Sequence, residues 1–165
     1  MSGFAPERLR MAEQLLQSLR ARGLTLTTAE SCTGGLLSAL LTEIPGSSDV
    51  FTHGYVTYAN AAKASMLGVP EPLLKTHGAV SAPVAIAMAQ GALHHAGASV
   101  SVAITGIAGP SGATADKPVG LVHIASARAG YSTLHQQQVF SGDRASVRMQ
   151  AVVAALELVQ RQLTR

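Results

Sequence analysis

The sequence predicts a single-domain, three-layer α/β/α sandwich built on a mixed β-sheet. Segments with strand-like and helix-like patterns alternate along most of the chain, and two strand-like segments then follow each other as a hairpin. The 165 residues are 47% hydrophobic and 13% charged, which suits a chain with one buried core and not a disordered one. Because no linker-like composition and no internal repeat divides the chain, we predict one domain over residues 1–165.

The first third of the chain reads as helix, strand, turn and helix. Residues 6–22 have leucines at helical spacing, and Gly23 suits the end of that helix. Residues 24–27 alternate between apolar and polar side chains, which predicts a short strand. A polar turn at 29–35 then leads into an apolar helix over 36–41.

The middle of the chain predicts a second strand followed by three helices. Residues 50–58 are rich in β-forming side chains. A short helix is predicted at 60–67 with Asn60 as its cap, and another short helix begins at Pro70. The segment 82–96 is rich in alanine, which suggests a helix buried between layers or against another subunit.

The last third predicts three strands and a long helix. Residues 100–104 are apolar and largely β-branched, and a glycine-rich loop follows over 105–118. Strands at 120–128 and 133–140 flank a hairpin turn, and a helix is predicted over 142–163.

Charge, cysteine and hydropathy patterns exclude several classes of protein. The net charge is +3, but the twelve basic residues are spread from Arg8 to Arg165, which disfavours a nucleic-acid partner. A single cysteine excludes a disulfide framework, and the six histidines form no metal-binding pattern, so no metal is predicted. No apolar run reaches the ~18 residues needed to cross a bilayer, and the N-terminus does not resemble a signal peptide. We therefore expect a soluble, cytoplasmic protein without a membrane partner.

The turn at 29–35 is the first candidate site, because it follows a predicted strand. Ser31 precedes Gly34, Gly35 and a helix start, where free backbone N–H groups suit a phosphate or a developing oxyanion. Alternatively, Ser31 or Thr33 merely caps the helix. Cys32 is a second candidate nucleophile, but no histidine base can be assigned to it.

The loop after the strand at 100–104 is the second candidate site. Thr105, Gly106, Gly109 and Gly112 combine a hydroxyl with glycines that let the backbone approach an anionic ligand. The spacing matches neither a P-loop nor a dinucleotide-binding fingerprint, and an ordinary turn is the alternative.

Lysine and arginine supply the remaining candidates. Lys63 lies among apolar neighbours, where a low dielectric would turn its amine into a base; the alternative is a solvated helix face. Tyr58 lies five residues earlier and either donates to an amide or packs. Arg144 and Arg148 share one helix face and suit an anion, although Asp143 offers one of them an ion pair.

Six ordered segments resemble the CinA C-terminal domain family, whose bacterial members include nicotinamide-mononucleotide deamidases. They are TTAESCTGGLLS (27–38), GYVTYANAAKASMLGV (54–69), HGAVSAPVA (77–85), ITGIAGPSG (104–112), KPVGLV (117–122) and FSGDRASVR (140–148). The resemblance covers essentially the whole chain and is weakest at 113–116. Larger members carry a further N-terminal domain, so this sequence looks like the stand-alone form.

The resemblance implies hydrolysis of the carboxamide of nicotinamide mononucleotide to nicotinate mononucleotide and ammonia, in pyridine-nucleotide salvage. It implies Ser31 as the nucleophile, Lys63 as its base and Tyr58 as an assisting group, in a homo-oligomer that needs no cofactor. The candidate substrate contacts are Gly34, Gly35, Thr105, Gly106, Gly109, Arg144 and Arg148. Two alternatives stay open: a non-enzymatic ligand-binding or interaction module linked to competence or DNA damage, and an amidase for a different amide.

Overall fold

A computed structural model describes residues 2–165, which form a five-stranded mixed sheet between two layers of helices. The strand order in the sheet is β2-β1-β3-β4-β5. The strands are β1 (Leu26–Glu30), β2 (Phe51–Val56), β3 (Val100–Gly106), β4 (Leu121–Arg128) and β5 (Leu134–Val139). Strands β1, β2 and β3 are mutually parallel, whereas β4 and β5 run antiparallel to their neighbours.

Six helices of the described chain cover the two faces of the sheet. They are α1 (Pro6–Ala21), α2 (Leu36–Thr42), α3 (Asn60–Leu67), α4 (Glu71–His77), α5 (Ala82–Ala96) and α6 (Arg144–Leu163), with a short 3-10 turn at Ser47–Asp49. Apolar side chains of α1, α2 and α6 form one core with the sheet, and those of α3, α4 and α5 form a second core on its other face. The predicted three-layer α/β/α sandwich is therefore confirmed. Within residues 2–165, no helix is both long and apolar enough to cross a bilayer.

The parallel strands bring three chain segments to one edge of the sheet. Strand β1 lies between β2 and β3, with Glu30 beside Val56 on one side and Ile104 on the other. The residues that follow β1, β2 and β3 therefore meet at this carboxyl edge, where open α/β sheets bind their ligands. Ser31, Tyr58 and the loop after Gly106 all belong to these segments.

Strand β1 differs from its prediction, because it extends through Glu30 and does not stop at residue 27. Every residue of β1 is buried, including its two threonines and its glutamate. These polar groups satisfy their hydrogen bonds internally: the Thr27 hydroxyl donates to the His53 carbonyl at 2.8 Å, and Thr28 Oγ1 lies 2.8 Å from Ser38 Oγ. A buried strand made of polar letters does not show the apolar alternation on which strand prediction depends.

One predicted cap and one predicted ion pair also differ from the structure. Asn60 lies inside α3, and Ala59 occupies the cap position without a side-chain hydrogen bond. Asp143 pairs with neither arginine; its carboxylate accepts a hydrogen bond from the Ser146 N–H at 2.8 Å and caps α6. A carboxylate at a helix start is stabilised by the free N–H groups there, so α6 begins at Arg144 rather than residue 142.

Candidate active site

Ser31 lies at the junction of the sheet and the turn that leads into α2. Its N–H donates to the Ile104 carbonyl of β3 at 2.9 Å, and the carbonyl of the preceding Glu30 accepts from the Thr57 N–H at 2.8 Å. The serine is therefore anchored to the segments that follow β2 and β3. Its side chain is 8% exposed and reaches the cleft at this edge.

Lys63 is brought to the Ser31 hydroxyl by helix α3. The lysine is 1% exposed, and its Nζ lies 3.0 Å from Ser31 Oγ. The same Nζ donates to the carbonyls of Thr57 at 2.8 Å and Tyr58 at 3.2 Å. Burial lowers the pKa of Lys63 below its ordinary value of 10.5, since the charged form loses hydration. The solvated alternative for Lys63 is therefore wrong, and the arrangement places an amine base beside a hydroxyl nucleophile.

A cleft of about 290 Å³ opens onto this pair. It is lined by Ser31, Cys32, Tyr58, Gly106, Ile107, Ala108, Gly109, Ser111, Gly112 and Arg144. The Arg144 guanidinium crosses from α6 and donates to the Tyr58 hydroxyl at 2.9 Å and to the Gly109 carbonyl at 2.8 Å. Arg144 thus joins the walls formed after β2 and β3, and it puts a positive charge on the cleft.

Four of the predicted substrate contacts do not line this cleft. The Gly34 N–H donates to the Ser31 carbonyl at 3.0 Å, and the Gly35 N–H donates to a carboxylate oxygen of Glu30 at 3.1 Å. The Thr105 hydroxyl is buried and donates to the Ala79 carbonyl at 2.8 Å. The fourth is Arg148. Gly106, Gly109 and Arg144, by contrast, lie on the cleft wall.

Arg148 contacts the turn itself. Its Nε donates to the Cys32 carbonyl at 3.1 Å, and a terminal nitrogen donates to the Thr33 carbonyl at 2.9 Å. This geometry gives the guanidinium a use other than the predicted anion contact. Sequence spacing placed Arg144 and Arg148 on one helix face. In the structure they lie one helical turn apart, with Arg144 on the cleft and Arg148 on the turn that carries Ser31.

Glu30 is a functional candidate that the sequence patterns did not reveal. Its carboxylate is fully buried and accepts hydrogen bonds from the N–H groups of Gly35, Leu37 and Ser38 and from the Ser38 hydroxyl. Glu30 therefore caps α2, and the alternative in which Ser31 or Thr33 caps that helix is wrong. The sequence signal was an acidic residue shortly before a helix start, where the helix dipole favours negative charge.

Cys32 is a poor competitor for the role of nucleophile. Burial raises the pKa of its thiol to about 11, so the reactive thiolate is scarce at neutral pH. Its backbone N–H, by contrast, is a candidate donor to a ligand, because it donates to no protein oxygen within the described chain. Among residues 2–165, no three His, Cys, Asp or Glu side chains gather as a metal-ligand set.

The fold and this edge define an α/β/α protein with a buried lysine against a serine, on a cleft that carries an arginine. The model of the CinA C-terminal domain matches residues 8–163, and the chain belongs to that family. In Escherichia coli K12, the nicotinamide-nucleotide amidohydrolase PncC is 51% identical over 156 residues, which are 94% of each chain. A Symbiobacterium thermophilum protein with the name "Putative competence-damage inducible protein" is 54% identical over 153 residues, which are 88% of this chain but 36% of that relative.

The solved structures agree with the sequence relatives. The competence/damage inducible protein CihA from Agrobacterium tumefaciens superposes with a TM-score of 0.96 at 44% identity, over 100% of both chains. An E. coli protein of the CinA superfamily superposes with a TM-score of 0.91 at 36% identity, over 98% of this chain and 94% of the other. The family resemblance drawn from the six sequence segments is thereby confirmed.

Proposed function

We propose that this chain is a nicotinamide-nucleotide amidohydrolase, which converts nicotinamide mononucleotide and water to nicotinate mononucleotide and ammonia. The contact between Lys63 Nζ and Ser31 Oγ carries the proposal, because it sets a buried amine against a hydroxyl on an open cleft. The PncC relationship over nearly the full length of both chains supports the choice of substrate. We also infer a cytoplasmic setting, a homo-oligomer and a reaction without cofactor from the family resemblance.

The first step is attack of Ser31 Oγ on the carboxamide carbon. Neutral Lys63 takes the hydroxyl proton, while the carbonyls of Thr57 and Tyr58 accept the amine's own hydrogens and orient its lone pair. The carbonyl π electrons move to oxygen and leave a tetrahedral oxyanion. Burial favours this chemistry, because it keeps part of the lysine neutral at a pH where an exposed lysine is charged.

The oxyanion needs hydrogen-bond donors close to Ser31. The N–H groups of Gly34 and Gly35 are already used within the turn, so we assign the Cys32 N–H to this role. The Ser31 carbonyl accepts from Gly34, and a trans peptide directs the Cys32 N–H opposite to that carbonyl. Cys32 also lines the cleft, which makes its amide a suitable fixed donor.

Collapse of the intermediate breaks the C–N bond. The Lys63 ammonium returns its proton to the departing nitrogen, so ammonia leaves and a nicotinoyl ester of Ser31 remains. Water then attacks this ester, Lys63 accepts the water proton, and the ester oxygen recovers it as Ser31 is regenerated. Because Arg144 donates to Tyr58 Oη, the phenolic O–H is free to donate to the amide or its products.

The phosphate of the nucleotide fits the Arg144 side of the cleft. Gly106 and Gly109 form the wall beside it, and the guanidinium offers charge-assisted hydrogen bonds. A substrate that lacks the phosphate would lose these contacts. We therefore expect the mononucleotide to be a much better substrate than nicotinamide riboside or free nicotinamide.

Ammonia release from the three compounds, measured with the purified protein and with Ser31→Ala, tests the proposal. We expect release from the mononucleotide, with kcat at least about a thousandfold lower in the variant. Full activity of Ser31→Ala would contradict the nucleophile. A wild type that prefers another amide, or releases no ammonia from any of the three, would favour the different-amide or non-enzymatic alternative.

A further inference from the structure

Two charged side chains hold the turn that carries Ser31, and neither takes part in the steps above. We propose that Glu30 and Arg148 are positioning residues. The Glu30 carboxylate holds N–H groups at the end of the turn and the start of α2, and the Arg148 guanidinium holds carbonyl groups within the turn. The proposal rests on the proposed serine chemistry. It gives Arg148 a role in the rate of reaction and not in binding the phosphate.

Glu30 ties the end of β1 to the first turn of α2. One carboxylate oxygen accepts from the N–H groups of Gly35 at 3.1 Å and Leu37 at 3.0 Å. The other accepts from the Ser38 N–H at 2.9 Å and the Ser38 hydroxyl at 2.7 Å. All four partners are donors, so both oxygens must be acceptors, which a carboxylate supplies and an amide does not. The side chain therefore closes the five residues between strand and helix into one fixed loop.

Arg148 binds carbonyl groups of the same turn, whereas Glu30 binds N–H groups. Its two donated bonds go to the successive carbonyls of Cys32 and Thr33, at 3.1 and 2.9 Å. A planar guanidinium holds two acceptors in a fixed relation, unlike the single ammonium of a lysine. Helix α6 also carries Arg144, so the same helix contacts both the turn that carries Ser31 and the wall of the cleft.

Together these contacts determine how the peptide units around Ser31 are oriented. Arg148 draws the Cys32 and Thr33 carbonyls to one side, and trans peptides then direct the N–H groups of Thr33 and Gly34 to the other. The Gly34 N–H meets the Ser31 carbonyl, which in turn sets the direction of the Cys32 N–H. A small displacement of these peptide units moves both the Ser31 hydroxyl and the Cys32 N–H, which is the proposed oxyanion donor. Attack geometry is sensitive to such shifts.

Steady-state kinetics of Glu30→Gln, Arg148→Met and Arg148→Lys test the proposal. We expect kcat on nicotinamide mononucleotide to fall by about tenfold to a hundredfold while KM stays within about threefold. The Lys variant should recover little, because it keeps the charge but loses the paired donors. Ser126→Ala is the control: it removes a buried hydroxyl bonded to the Ser101 carbonyl in the sheet, so it should lose stability and keep kcat.

Amide hydrogen exchange of residues 31–38, measured without substrate, provides a second readout. We expect faster exchange there in Glu30→Gln and Arg148→Met, but not in Ser126→Ala. This readout separates the two proposals, because a wild type that releases no ammonia would contradict the function while the exchange data still test the positioning.

Three results would overturn the inference. They are unchanged kcat in the Glu30 and Arg148 variants, unchanged exchange at 31–38, and a raised KM with normal kcat in Arg148→Met, which would make Arg148 a phosphate ligand. If Glu30→Gln does not fold, Ser38→Ala takes its place, since it removes one of the four donors to the carboxylate. It should then show the same pattern at smaller amplitude.

Discussion

The Ser31 hydroxyl depends on a lysine that is almost completely removed from water. Burial lowers the pKa of Lys63, so we expect kcat/KM to rise with pH until Lys63 is neutral, at a pKa below the ordinary 10.5. Below that pKa the ammonium cannot accept the serine proton. Lys63→Met should therefore lower kcat at least about a thousandfold. Lys63→Arg should be equally inactive, because a guanidinium does not deprotonate in proteins.

The exposed Lys75 provides the matched control for this experiment. Lys75→Met should keep both the rate and the rising limb of the pH profile. If Lys63→Met retained that limb, the titrating group would lie elsewhere and the lysine would have no role as base.

Residue type and family resemblance predicted Ser31 and Lys63, but the sequence did not reveal their environment. Lysines are mostly exposed, so the apolar neighbours of Lys63 left both a buried amine and a solvated helix face open. Glu30 was missed for a similar reason, since a glutamate in a polar stretch is typical of a surface turn. In each case burial is decided by partners from other segments, so it cannot be read from neighbours in the chain.

At the scale of elements, the position of α3 depends on its contact with α5. A Cβ added at Gly91 would overlap the backbone carbonyl of Leu67, the last residue of α3. Alanine is the better helix former by about 1 kcal/mol, yet we expect Gly91→Ala to destabilise the fold by about 1–3 kcal/mol because of this overlap. It should also lower kcat, since α3 carries Lys63.

Urea unfolding and steady-state rates measure the two effects of Gly91→Ala. Gly3→Ala is the control, because nothing lies within 4 Å of a Cβ added there. A Gly91→Ala protein that was more stable and fully active would show that α3 and α5 separate without moving Lys63.

Helix prediction succeeded where one face is apolar and failed by a few residues where polar groups decide the boundary. The long helices α1, α5 and α6 follow their predicted ranges to within two residues. Strand β1 was displaced because its polar side chains are buried and hydrogen-bonded. The alanine-rich face of α5 packs on the sheet through Val84, Ala85 and Met88, which is the interlayer burial that the pattern suggested.

At the scale of the whole molecule, the alternation of elements predicted the layers but not the arrangement of the site. The order of strands decides which loops meet, and no local pattern encodes it. The contacts between Lys63 and Ser31, Arg144 and Gly109, and Arg148 and Cys32 join segments 32, 35 and 116 residues apart. The predicted pairing of Ser31 with Lys63 therefore came from the family resemblance rather than from spacing.

A histidine pair across β4 and β5 makes the stability of the whole molecule sensitive to acid. His123 Nδ1 lies 3.0 Å from His135 Nε2, so one ring must donate and the other accept. Burial, followed by the charges of His135 and Lys117, lowers the pKa of His123 to about 4, and burial lowers the pKa of His135 too. Both pKa values are lower than the ordinary 6.5. Between pH 6.5 and about 4, the unfolded chain therefore binds more protons than the folded chain.

The free energy of unfolding should therefore be fully retained above pH 6.5 and fall by about 1–2 kcal/mol as the pH decreases toward 4. Urea unfolding at several pH values measures this slope. It should flatten in His123→Gln but not in His94→Gln, whose histidine is exposed. An equal slope in both variants would place the acid sensitivity elsewhere.

Protonation of Lys63 causes a separate loss of rate on acidification. This loss of rate is distinguishable from the loss of stability, because protonating the lysine of a folded enzyme is reversed at once when the pH is raised. His123→Gln should thus leave the lysine limb of the rate profile in place while it changes the pH dependence of unfolding.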